Sequence, residues 1–392
     1  MWERRHTDLK RKIYLSSPCM CGEEQKYVQE AFDTNWIAPL GKNVNEFENE
    51  IKEYVGTKGA VAMSSGTAAI HMALRALNVG QGDIVFCQSM TFSASANPIV
   101  YQNGIPVFID SEPDTWNMSP EALKKAFKKY PNPKAVIIVH LYGTPAKMDE
   151  IKKICAEYNV PLVEDAAEAL GGEYKGKKLG SFGEYGILSF NGNKIITTSG
   201  GGMLVGDDEE RLKNVLKWIT QSREPARWYQ HEELGYNYRM SNIVAGIGRG
   251  QMSALEDHVV QKMRIYEKYK AELKGLPITM QPYLPDTKPN HWLSAATIDE
   301  SCDVSPFKIM DALAAENVET RPIWKPMHMQ PFYKDCDYFA HNEDGSSICE
   351  DIFARGLCLP SDFSPQMLPE EHDEIIEIIK EQFGCTLSML KG

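Results

Sequence analysis

The chain has 392 residues, 43% of them hydrophobic and 24% charged, and a formal net charge of −12. That length exceeds one typical core and predicts two domains in an ordinary globular protein. The acidic balance excludes a basic nucleic-acid footprint, although local arginines can still attract an anionic ligand; no apolar run approaches the ~20 residues that cross a bilayer.

Nine cysteines are scattered along the chain. Several, such as Cys87, Cys155 and Cys358, sit inside apolar runs where Cys acts as a small hydrophobe. A reduced, cytoplasmic protein is the expectation. Cys19 and Cys21 have no second pair nearby, so no metal site is expected there. The basic leader (Arg4, Arg5, Lys10, Arg11, Lys12) precedes no apolar h-region and does not read as a signal peptide.

In chain order, residues 22–32 read as a helix, and Asn35-Trp36-Ile37-Ala38-Pro39-Leu40-Gly41 then breaks the pattern. A strand over 60–63 leads through Ser64-Ser65-Gly66-Thr67 into a helix with Ile70, Ala73, Leu74 and Leu77 on one face. Ser65 is the expected N-cap, and amides at Gly66, Thr67 and Ala68 would form a ready phosphate site. Strands read at 83–88, 105–110, 134–141 and 161–164, with helices over 119–129 and 147–158. Near-continuous apolar strands alternating with amphipathic helices predict a mostly parallel sheet covered on both faces, with ligands beyond the carboxyl ends of its strands. Thr91-Phe92 follows one such strand. Tyr174 and Lys178 lie among glycines and read as a hairpin or loop.

A helix over 208–219 precedes a loop with Arg223, Arg227, Trp228, Tyr229 and His231. One long helical pattern then runs from 242 to about 273. Four prolines between 275 and 290 mark a boundary. The expected division is a segment 1–34, a large α/β domain 35–274 and a smaller α+β domain 275–392, the last with a strand over 292–298 and helices over 305–316 and 369–383. Within it, Arg321-Pro322-Ile323-Trp324-Lys325-Pro326-Met327-His328 interleaves cationic and titratable groups with prolines. That loop suits a diphosphate; a solvated connection is the alternative.

The chemistry concentrates in Ser189-Phe190-Asn191-Gly192-Asn193-Lys194, between an apolar strand over 185–188 and a second over 203–205. A lysine there becomes a neutral amine when desolvated, as imine formation with an aldehyde requires. Upstream, the strand over 161–164 ends in Glu164-Asp165-Ala166-Ala167-Glu168, which puts Asp165 at the end of a neighbouring strand. One Lys for an imine and one Asp for a pyridinium nitrogen is the pairing that pyridoxal phosphate needs.

These motifs, with Gly235-Tyr236-Asn237-Tyr238-Arg239-Met240-Ser241-Asn242, resemble the DegT/DnrJ/EryC1/StrS family of sugar aminotransferases over roughly residues 13–379. The wording is nearest to members that make UDP-linked 4-amino sugars for exopolysaccharide or glycans. The resemblance implies a PLP fold-type I (aspartate aminotransferase-like) α/β fold and a homodimer. It also implies pyridoxal 5'-phosphate as cofactor, L-glutamate as amino donor and a nucleotide-linked 4-keto-6-deoxy sugar, UDP-linked, as acceptor. Lys194 and Asp165 would be catalytic. Ser65, Gly66, Thr67 and Ser189 would hold the phosphate, Phe92 would stack on the ring, and Glu168 would meet its phenolic oxygen or the sugar. Asn237, or else Arg239, would reach the partner subunit's phosphate site. Trp36, Arg321, Lys325 and His328 would contact substrate. Ser199-Gly200-Gly201-Gly202 departs from the pattern, since many relatives carry an acidic residue there.

Three alternatives stand beside this reading. Family members that dehydrate sugars have His in place of the lysine. A nicotinamide-dependent oxidoreductase would need a G-x-G-x-x-G after a strand, and none is present. A non-enzymatic sugar-binding protein leaves Lys194 and Asp165 without a purpose.

Overall fold

The computed structural model describes residues 11–368 and 370–384. Arg4, Arg5 and Lys10 of the leader, Pro369 and Cys385 lie outside the described residues.

Seven strands of the main sheet follow in chain order: β1 (Gly59–Met63), β2 (Ile84–Gln88), β3 (Ile105–Ile109), β4 (Ala135–Val139), β5 (Leu162–Asp165), β6 (Tyr185–Ser189) and β7 (Gly202–Gly206). In space they run β1-β7-β6-β5-β4-β2-β3, and Tyr338–Phe339 pairs beyond β3. All are parallel except β7, which is antiparallel to both β1 and β6. The loop from β6 turns straight back beside its own strand, and a direct return of that kind can only be antiparallel.

The apolar runs are continuous because both faces are buried. Val136 and Ile138 of β4 join one core with Phe47, Phe127 and Ile151. Ala135 and Ile137 join the other with Ile70, Leu74 and Val215. Helices Lys42–Val55, Pro120–Lys129 and Met148–Glu157 therefore cover one face, and Gly66–Ala76 and Glu209–Ile219 the other.

A second, antiparallel sheet has the order Ile278–Met280, Ser294–Ile298, Gly356–Leu359, Arg321–Pro322. Its core, with Ile309, Leu313, Leu357 and Ile376, also takes in Tyr266 and Tyr269. Those tyrosines come from the helix Leu255–Glu272, which links the two sheets.

Two expectations change. The single helix over 242–273 is two helices, Asn242–Met252 and Leu255–Glu272. At the break the Ser253 hydroxyl donates back to the Gly250 carbonyl at 2.7 Å, competing with helix continuation. Helix Lys42–Val55 was not foreseen, although buried Val44, Phe47, Ile51 and Val55 carry its periodicity. Glu173–Tyr174 and Lys177–Lys178 form the expected hairpin.

Candidate active site

Asp165 ends β5, and its register opposite Ile187 sets the neighbouring β6 to run on to Ser189. The next loop carries Lys194 and closes into β7, which begins at Gly202. A Cβ on Gly202 would lie 2.3 Å from the Gly66 nitrogen, so only glycine lets β7 pass against the start of helix Gly66–Ala76. Ser65 caps that helix by accepting from the Ala68 amide at 3.1 Å. That bond removes Ala68 from the expected trio of phosphate amides. The N–H groups of Gly66 and Thr67 remain, as first-turn donors with no intrahelical acceptor.

These elements border a cavity of about 1360 Å³ between the two sheets, lined by Ser65, Gly66, Thr67, Asp165, Ser189 and Lys194 among others. Phe92, Glu168, Arg321 and Lys325 line it as well. Phe92 is 58% exposed and sits 5.6 Å from the Trp324 ring, so it serves the cavity and not a core.

Asp165 is buried, and burial raises its carboxyl above the ordinary range. Two donors oppose that shift: the Ser95 hydroxyl at 2.6 Å and the Ala167 amide at 3.2 Å. Ser95 spends its proton on Asp165, so in its 2.7 Å contact with Thr91 it accepts. A buried carboxyl satisfied by hydroxyl and amide donors is suited to a cationic ring nitrogen arriving from the cavity.

The Lys194 amine is 3.5 Å from Glu168 and 3.8 Å from the centroid of the Trp292 ring. Trp292 is fixed in turn by donating from Nε1 to the Asn193 carbonyl at 2.5 Å. Glu168 accepts from the Tyr142 amide at 2.7 Å, which Tyr142 presents from a left-handed conformation, φ 55°. Burial pushes the Glu168 carboxyl up to about 7, against the charge of Lys194. Asn290 holds the same turn by donating to the carbonyls of Glu168 at 2.8 Å and Leu170 at 2.9 Å. Glu164, the first acid of the motif, is structural: it takes the His140 ring at 2.8 Å and the Phe182 amide at 2.7 Å.

Four expected site residues stand outside this cavity. His328 is engaged by the Ser89 hydroxyl at 2.7 Å and Glu350 at 3.1 Å, and it stacks on Tyr338. Arg239 pairs with Glu48 and donates to the Ala62 carbonyl at 3.2 Å. Asn237 is exposed and accepts from Gln221 at 2.9 Å. Trp36 lines a separate cavity of about 330 Å³, its carbonyl held by Asn242 at 2.8 Å. Conversely, Ser95, Tyr142, Asn290 and Trp292 were not foreseen. Only Trp292 carried a signal, as an aromatic just past the proline-rich boundary.

Residues 18–380 match the model of the DegT/DnrJ/EryC1/StrS aminotransferase family. The chain is 52% identical over 378 residues, 95% of it and 96% of the relative, to EpsN of Bacillus subtilis (strain 168), whose name describes a pyridoxal phosphate-dependent aminotransferase. It is 35% identical to the GDP-perosamine synthase of Escherichia coli O157:H7, over 95% of this chain and 99% of that one. The crystal structure of a DegT DnrJ EryC1 StrS aminotransferase from Brucella abortus superposes with a TM-score of 0.84 at 27% identity, covering 93% of this chain and 96% of that chain. The Lys194 amine and the buried Asp165 carboxyl thus sit in a fold-type I scaffold, and the chain belongs to the DegT/DnrJ/EryC1/StrS family as a pyridoxal phosphate-dependent sugar aminotransferase.

Proposed function

We propose that the enzyme moves the amino group of L-glutamate to C4 of a UDP-linked 4-keto-6-deoxy-2-acetamido sugar, for polysaccharide or glycan synthesis in the cytoplasm. The observation that carries the reading is the Lys194 amine, 3.5 Å from Glu168, in one cavity with the buried Asp165. Pyridoxal phosphate, when bound, supplies the electron sink that lets an amino group pass between two carbons. Lys194 would hold it. Asp165 would face its ring nitrogen and keep that nitrogen protonated, Phe92 would cover the ring, and Ser189 with the Gly66 and Thr67 amides would take its phosphate. Once released, the Lys194 amine would move the proton at the substrate carbon, with Glu168 orienting Nζ. Arg321 and Lys325 would meet the nucleotide diphosphate.

We also propose a division into a large domain, 35–274, and a small one, 275–392, and assembly as a homodimer. Support for the dimer comes from apolar side chains left in solvent: Trp36 47%, Leu40 55%, Trp228 67%, Tyr229 78% and Leu234 69% exposed. In that assembly Asn237 would complete the partner's phosphate site, with Arg239 shaping the segment from behind.

The test is turnover with L-glutamate and a panel of UDP-, GDP- and dTDP-linked 4-keto sugars. Glutamate-dependent amination fastest with the UDP sugar is expected. Faster turnover of a GDP sugar would sink the nucleotide assignment, an outcome the 35% identity to a GDP-perosamine synthase makes worth including.

A further inference from the structure

Helix Leu255–Glu272 carries two buried titratable side chains one turn apart, His258 and Lys262. Neither lines the cavity, yet His258 reaches the loop that bears Lys194 directly and Lys262 reaches it through Ser16. His258 donates from Nδ1 to the Ile195 carbonyl at 2.9 Å. Lys262, only 1% exposed, donates to the Ser16 hydroxyl at 2.8 Å and to the Ser361 carbonyl at 2.6 Å.

As an ammonium, Lys262 has donors and no acceptor, so in that form Ser16 accepts from it and keeps its own proton to give away. It gives that proton to the Asn193 carbonyl at 3.2 Å. The same carbonyl takes the indole N–H of Trp292, the ring that covers the Lys194 amine. The carbonyls on either side of Lys194 are therefore both held from one helix, one directly and one through a serine.

The segment around Ser16 is tied down independently. The Leu15 carbonyl accepts from the Ser361 amide at 2.7 Å, and the Ser17 hydroxyl donates to Asp362 at 2.7 Å. Burying an ammonium is costly, and here burial pulls Lys262 down to about 7 against the opposing charge of Asp362. Packing alone would be served by Leu or Met.

We propose that Lys262, acting through Ser16, is a positioning residue that fixes the loop carrying Lys194 against the Trp292 ring. The inference rests on Lys194 being the reacting amine, while its first test needs neither cofactor nor substrate. Hydrogen exchange on the full chain would compare wild type, Lys262→Met and Ser16→Ala. Both variants should speed exchange at residues 191–197 by about tenfold while the amides of β2–β4 keep their protection. In the loaded enzyme, kcat should fall about tenfold while KM for the keto sugar stays within about twofold, since the loop sets approach geometry and not affinity.

Unchanged exchange at 191–197, a rise spread evenly over the chain, or a loss confined to KM would each overturn the proposal. If Lys262→Met does not fold, Ser16→Ala decides alone, because that hydroxyl lies on a partly exposed segment. Faster loop exchange without turnover of any nucleotide sugar would count against the substrate assignment and leave this inference standing.

Discussion

Burial moves the Glu168 carboxyl from 4.5 to about 7, with the Lys194 charge and the Tyr142 amide opposing it. Between those values the folded chain keeps a proton that the unfolded chain has released. The stability Glu168 contributes is thus complete below pH 4.5 and lost as pH rises through about 7. Glu168→Gln should flatten this part of the profile and recover about 2–3 kcal/mol above pH 7, read from Tm of the cofactor-free protein against pH. A slope as steep as wild type would assign it to another group. Asp165→Asn keeps an acceptor for Ser95 but removes the charge offered to the ring nitrogen. It should lower kcat/KM by about 100-fold or more, with Tm near wild type. At this scale Lys194 and Asp165 stood out by residue type, because a lysine in a small-residue loop between two buried strands and an acid at the end of another are uncommon choices. Ser95 and Asn290 were not legible, since a hydroxyl and an amide are ordinary in a core until another element brings a partner to them.

Among elements, the tightest constraint is where β7 crosses the start of helix Gly66–Ala76. Gly202→Ala would place a methyl carbon 2.3 Å from backbone atoms of Ser65 and Gly66, and backbone cannot yield as a flexible side chain can. Overpacking of that kind costs about 1–3 kcal/mol. It should also weaken pyridoxal phosphate binding by at least about tenfold, because the displaced backbone carries the proposed phosphate donors; a cofactor titration checks this. The strands were readable from continuous apolar runs, as burial on both faces demands. The division of one long helix at Ser253 was not, because 3.6-residue periodicity continues across a two-residue break and only the back-donated hydroxyl marks it. The helix over Lys42–Val55 was readable from Val44, Phe47, Ile51 and Val55 but stood hidden behind the Pro-Gly loop before it.

For the molecule as a whole, the helix Leu255–Glu272 gives Leu255 and Val259 to the core of the main sheet and Tyr266 and Tyr269 to that of the small sheet. What one chain's sequence conveys least is where its surface residues serve. His328, expected to meet substrate, lies outside the cavity lining and joins Ser89, Tyr338 and Glu350 into one packed unit. Asn237 is exposed and does not line its own chain's cavity, so its proposed role calls on a second copy. Mixing inactive Lys194→Ala with inactive Asn237→Asp protomers offers a direct check. If each site draws on both subunits, half of the randomly paired dimers regain one sound site, and activity should return to about a quarter of wild type. No recovery would assign Asn237 to its own chain.

Trp292 leads into the small sheet at Ser294–Ile298, while the amine beneath it belongs to the large one. One ring therefore ties the two sheets together at the candidate site, through its face to the Lys194 amine and through its N–H to the Asn193 carbonyl. Trp292→Phe keeps a ring but loses that N–H, so the join should loosen where the loop after β6 meets the small sheet.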